Sequence, residues 1–74
     1  MNYAEIAKKI KAHKEEISKE INIKPNTIVK WCDEPKRFLN VGIEEICTIA
    51  IIIGVNPNDF LKILEKEVID YIWD

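Results

Sequence analysis

"ISKEINIKPNTIVKW", residues 17 to 31, places isoleucines at 17, 21, 23 and 28 and a tryptophan at 31, with an Asn-Ile-Lys-Pro-Asn interruption between them. Without the interruption it would read as one amphipathic helix. Pro25 argues against that, because it has no amide hydrogen to give and biases Lys24 away from helical angles. At the first turn of a new helix the same proline is favourable, since that amide would have no intrahelical partner anyway. Asn22 tolerates the left-handed backbone better than most residues and can end the preceding helix in place of a glycine. The stretch therefore predicts two short helices joined by a turn. The first carries Ile17, Ser18 and Ile21 inward; the second runs from Pro25 to about Cys32 and buries Ile28 and Trp31 at i, i+3 spacing.

Working outward, Tyr3, Ile6, Ala7 and Ile10 recur every three to four residues with lysines between them, which predicts a helix over 3–12 with a basic outer face. "DEPKRFLNVG" at 33–42 combines Pro, Gly, Asn and charge and reads as a loop. "IEEICTIAIIIGV" is dense in β-branched residues and by propensity alone would be a strand. A lone strand has no ladder partner, whereas Ile46, Ile49, Ala50 and Ile53 form a helical stripe ending at Gly54, a good terminator. Asn56 then caps a last helix over about 57–72, with Pro57 at its first position and Asp59 near its positive end. The fold class expected is all-α, a compact arrangement of five helices in a single domain spanning 1–74.

At 74 residues the chain has room for one small core. The longest apolar run, "IAIIIGV" at 49–55, falls far short of the roughly 20 residues of a bilayer span, and charges occupy the start where a secretory signal would be apolar. A soluble, cytoplasmic protein with no membrane association is expected. Cys32 and Cys47 lack CxxC spacing and His13 is the only histidine, so neither a zinc site nor a disulfide framework is indicated. Both read as reduced thiols, with Cys47 a small core residue. The acid pairs Glu15/Glu16 and Glu44/Glu45 are sequence neighbours that diverge around a helix, and no nucleophile elbow or phosphate loop is present, so no enzymatic activity, cofactor or small-molecule ligand is expected.

The net charge is −2, but its sign is unevenly placed. Residues 1–40 hold nine basic against six acidic side chains, and residues 41–74 two against seven, a balance of +3 against −5. One end of the molecule is suited to an anion and the other is not.

Two short helices joined by a three-to-four-residue turn make a helix-turn-helix pattern over 14–32. Lys14, Ile17, Ser18, Ile21, Asn22, Ile23, Thr27, Ile28 and Trp31 follow in the order of that motif in the Cro and repressor (XRE-like) DNA-binding domains of phage and bacterial regulators, which this chain resembles. "ICTIAIIIGVNPNDFL" is similar to that family's fourth and fifth helices, so the resemblance covers about residues 4–64. Lys14, Ser18 and Asn22 stand where the family usually has glutamine, alanine and glycine, and "KAH" before them lacks the usual Gly and Thr, leaving the second helix without a standard cap.

The resemblance implies a lambda-repressor-like fold that binds double-stranded DNA as a transcriptional regulator, with the third helix in the major groove. Lys24, Asn26, Thr27, Val29 and Lys30 would then read bases, and Lys14, Lys36 and Arg37 would hold phosphates. Set against this, Thr27 fits a local role at the helix start equally well or better, and Lys24 and Lys30 fit ordinary solvated lysines. The last helix and the one before it carry more apolar residues than one core face needs. Ile51, Ile52, Ile69, Tyr71, Ile72 and Trp73 are therefore expected to form a homodimer interface. An alternative use of the same surface is as an interaction module that engages another regulatory protein through helices four and five.

Overall fold

The computed structural model describes the backbone of residues 1–73 and the side chains of residues 1–69. Within them the chain is all-α, with no strand, and runs α1 (Tyr3–Ala12), α2 (Lys14–Ile21), α3 (Pro25–Asp33), the 3-10 helix η1 (Pro35–Asn40), α4 (Ile43–Ile53) and α5 (Pro57–Trp73). η1 is a correction to the sequence reading, which has a loop there. Pro35 presets the backbone angle of its first position and Phe38, only 3% exposed, anchors it in the core, so the segment winds into a short tight helix despite its polar composition.

Local chemistry accounts for the helix ends. Asn2 opens α1 with a capping box: the Glu5 amide donates to Asn2 Oδ1 at 3.0 Å, and the Asn2 amide reaches back to Glu5 Oε1. A single residue, His13, separates α1 from α2. Its amide donates to the carbonyls of Lys9 and Ile10 at 3.1 Å, and its ring Nδ1 lies 2.9 Å from the Lys9 carbonyl oxygen. The uncapped entry into α2 thus takes the form of a corner built on His13. Asn22 adopts the left-handed conformation, φ 57° and ψ 46°, and Pro25 occupies the first turn of α3, as the opening stretch predicts. Gly54 ends α4 at φ 74°, and Asn56 Oδ1 accepts the Asn58 amide at 2.8 Å to start α5.

Ile6, Ile10, Ile17, Ile28, Ile49 and Phe60 are fully buried at the centre, and the α4 stripe of Ile46, Ile49, Ala50 and Ile53 faces them. Three rings link successive elements: Trp31 of α3 tilts against Phe38 of η1 at 5.8 Å, and Phe38 meets Phe60 of α5 edge-on at 6.2 Å. Trp31, Ile21 and Ser18 are only half-buried at the rim of this core, whereas Ile17 and Ile28 lie fully inside. Cys47 is not the small core residue that the sequence suggests. Cys32 is buried and Cys47 is half-buried, because Cys47 lies on the flank of α4 turned away from the stripe. α4 and the described part of α5 meet at a bend of 115°, and no single helix among the described residues is long and apolar enough to cross a membrane.

Both left-handed positions make a prediction. A β-carbon on Gly54 would meet nothing within 4 Å, so its only cost is conformational. Gly54→Ala should lower the unfolding free energy in urea by about 1–2 kcal/mol. Asn22→Gly should raise it by a few tenths to about 1 kcal/mol, and Asn22→Ala should lower it. An equal response at both sites to alanine and glycine would contradict the left-handed assignment.

Candidate nucleic-acid interface

α3 is amphipathic about a sharp division. Ile28 and Cys32 point inward against α1, α2 and η1, while Asn26, Lys30 and Asp33, at i, i+4 and i+7, form an exposed stripe on the opposite side. Thr27 and Val29 flank that stripe and are half-buried, so they are less accessible than the base-reading set from sequence requires. Lys24 precedes the helix in an extended conformation, φ −61° and ψ 140°, and is exposed. No side chain caps the start of α3; the Thr27 amide bonds the Lys24 carbonyl at 3.0 Å. The stretch from 24 to 30 contains two lysines, an amide and a hydroxyl without a carboxylate.

The rim around this stripe is mixed in sign. Asp33 at its far end accepts from Lys11 of α1 at 2.8 Å, and Glu34 accepts from Arg37 of η1 at 2.8 Å. Both are exposed ion pairs of the kind that contribute little to stability. The hydrogen bond and charge of Asp33 raise the Lys11 pKa, so this lysine stays cationic and committed to its partner. Among the described residues, Lys24 and Lys30 have no carboxylate within ion-pair reach. Lys14 is half-buried at the first position of α2, and Lys36 is exposed beside Arg37.

The structure thus gathers Asn26 and Lys30 on one exposed side of α3, leaves Lys24 exposed just before the helix, and leaves Arg37 already engaged with a carboxylate. The sequence reading missed Asp33, although its spacing from Asn26 and Lys30 places it on the same face of any helix that includes all three. Lys11 at its side gave no local signal, since the two are 22 residues apart.

The expected dimer surface divides into two. Ile51, 71% exposed, and Ile52 line a cleft between α2 and α4 together with Glu16, Lys19 and Glu20. Ile69, 50% exposed, instead borders a separate groove of about 340 Å3 between η1, α4 and α5, walled by Leu39, Ile46, Leu61 and Leu64, with Glu65 its one charged lining residue among those described. The side chains of Tyr71, Ile72 and Trp73 lie outside the described residues. Among the described residues no group of three or more His, Cys, Asp or Glu side chains is placed to hold a metal ion. Comparison of the chain with family models, with curated proteins and with solved structures found no match.

The cysteines provide a check on how α3 and α4 are seated. Burial pushes the Cys32 thiol up to about 11, so at pH 8 only about one chain in a thousand carries the reactive thiolate there. Alkylation with iodoacetamide at pH 8, read by peptide mass spectrometry, should label Cys47 well before Cys32, with Cys32 labelling accelerating as the pH is raised toward 10. Preferential labelling of Cys32 would mean that α3 is not packed as described.

Proposed function

We propose that this chain is a small DNA-binding regulator that lays α3 in the major groove of duplex DNA. The observation that carries the reading is the exposure of Asn26 and Lys30 on one side of a short helix whose other side is held in the core, with Lys24 exposed just before its start. An asparagine amide matches the donor and acceptor edge of adenine, and a lysine ammonium the two acceptors of guanine. Asn26 and Lys30, one helical turn apart, would read neighbouring base pairs while Lys24 lies at the groove entrance. Thr27 and Val29 would contribute at the margin, with Val29 offering a methyl surface to thymine. Lys14 at the start of α2 and Lys36 and Arg37 on η1 would take phosphates, Arg37 exchanging Glu34 for the backbone. Exposed ion pairs are weak enough to make that exchange inexpensive.

This reading agrees with the resemblance to Cro and repressor domains in the order of helices, in the turn at Asn22 and in the role given to α3. In that setting the protein would act in a bacterium or prophage, as a cytoplasmic repressor or modulator of transcription, without cofactor or catalysis. Two copies related by a two-fold axis would meet half-sites about 34 Å apart, one duplex turn. The exposed apolar residues Leu39, Ile51 and Ile69 are the material for such self-association.

A second reading is favoured by the groove between η1, α4 and α5. It is apolar and open, and it would suit a partner protein's apolar side chains, making the domain an interaction module that engages another regulator.

Fluorescence anisotropy with a duplex enriched by the protein from a random pool, at two salt concentrations, tests the first reading. Asn26→Ala and Lys30→Ala should each weaken that duplex by about 1–3 kcal/mol while leaving the unfolding midpoint nearly unchanged. Equal loss on a scrambled duplex would remove the base-reading roles, and binding insensitive to salt would remove the phosphate contacts. Sedimentation should find the wild type as a dimer and Ile69→Lys as a folded monomer. If both sediment as monomers, self-association through this edge is wrong and the groove is left to another protein.

A further inference from the structure

Pro35 creates a defined deficit at the C-terminal end of α3. In a continuing helix the amide of residue 35 would donate to the carbonyl of Trp31, and proline has no such hydrogen. The regular ladder therefore ends where the Glu34 amide donates to the Lys30 carbonyl at 2.9 Å. Helix ends leave carbonyls in need of donors, and a left-handed residue commonly turns the chain back to supply them. Here the capping residue, Glu34, sits at φ −128°, outside that region.

A donor reaches this end of α3 from another helix. Tyr3, at the first position of α1, donates its hydroxyl to the Cys32 carbonyl at 2.9 Å, with the Trp31 carbonyl oxygen 3.3 Å away. Its ring is half-buried and packs on the core. Burial first, then the neighbouring Cys32, Glu67 and Asp33, raise the Tyr3 pKa well above the usual phenol range, so the hydroxyl keeps its proton and remains a donor. On the same helix Lys11 reaches the next residue, Asp33. α1 therefore grips the last turn of α3 at two points, one of them partly shielded from water.

We propose that Tyr3 is a positioning residue for α3: its hydroxyl, donated to the Cys32 carbonyl at the end of the helix, fixes the angle at which Asn26 and Lys30 leave the core. The proposal rests on the reading of α3 as the DNA-reading helix. Base hydrogen bonds tolerate only a few tenths of an ångström, whereas long lysine side chains reach phosphates through a range of helix angles. Loosening this end of α3 should therefore reduce discrimination between duplexes more than it reduces attraction to DNA as such.

The test is Tyr3→Phe, which keeps the ring and removes the hydroxyl. The probes are a duplex that the wild-type full chain enriches from a random pool and a scrambled duplex of the same length, titrated at a temperature where circular dichroism shows both proteins folded. The expected result is about tenfold weaker binding of the enriched duplex, less than twofold change on the scrambled one and an unchanged salt slope. Equal losses on both duplexes, or no loss on either, overturn the proposal while leaving the DNA reading intact. A wild type that enriches no duplex overturns both.

Discussion

The burial of Ile28 is the interaction on which the arrangement depends. A helix of nine residues is too short to persist in water, since isolated helices below roughly 12–15 residues are marginal. α3 is held because Ile28 is fully buried and Cys32 nearly so, and burying one such aliphatic side chain is worth about 1.5–3 kcal/mol. That is a large share of what a domain of this size has in reserve. Trp31 extends the anchor sideways through Phe38 to Phe60, so that the seating of α3 is tied to η1 and α5 as well as to α2. With one side so heavily committed, the opposite side is left to solvent, and its residues are free of packing duties.

That division between anchored and exposed sides organises the electrostatics too. The chain as a whole is mildly acidic, yet Lys24 just before α3 and Asn26 and Lys30 in its first two turns are exposed, while the carboxylates collect at its far end, where Lys11 and Arg37 meet them. A charge total would misjudge such a surface, because exposed charges more than a Debye length apart are largely screened from one another and a partner responds to the local pattern. The acidic second half instead contributes most of the lining of an apolar groove, which is a different kind of surface. The two are related through η1, which supplies Arg37 beside α3 and Phe38 and Leu39 to the groove. A molecule seated in the groove would thus press on the same short helix that supports the last turn of α3.

Much of this was legible from local sequence. Pro25, Asn22, Gly54, Asn56 and Pro57 each restrict the backbone at their own position, and the apolar spacings at 6/10, 17/21 and 46/49/50/53 set which side of each helix turns inward. These are short-range consequences of steric exclusion and of hydrophobic period, so an all-α chain of short helices, with the breaks where they are observed, followed from them. η1 was not legible in the same way: "PKRFLN" carries turn residues and charge, and only the presence of Phe60 and Trp31 nearby makes burial of Phe38 favourable enough to wind the segment up.

What the tertiary structure alone decided are the contacts between residues distant along the chain. Nothing near Tyr3 marks its hydroxyl as the donor for carbonyls 28 and 29 residues away, and nothing near Lys11 marks Asp33 as its partner. The same holds for the parting of Ile51 from Ile69 into separate clefts and for the place of Cys47 at the edge of the core rather than inside it. Sequence determines local conformation because steric and hydrogen-bonding limits act within a turn or two of chain. Which helix ends meet, and which apolar residues remain outside, depends on how the helices pack as a set.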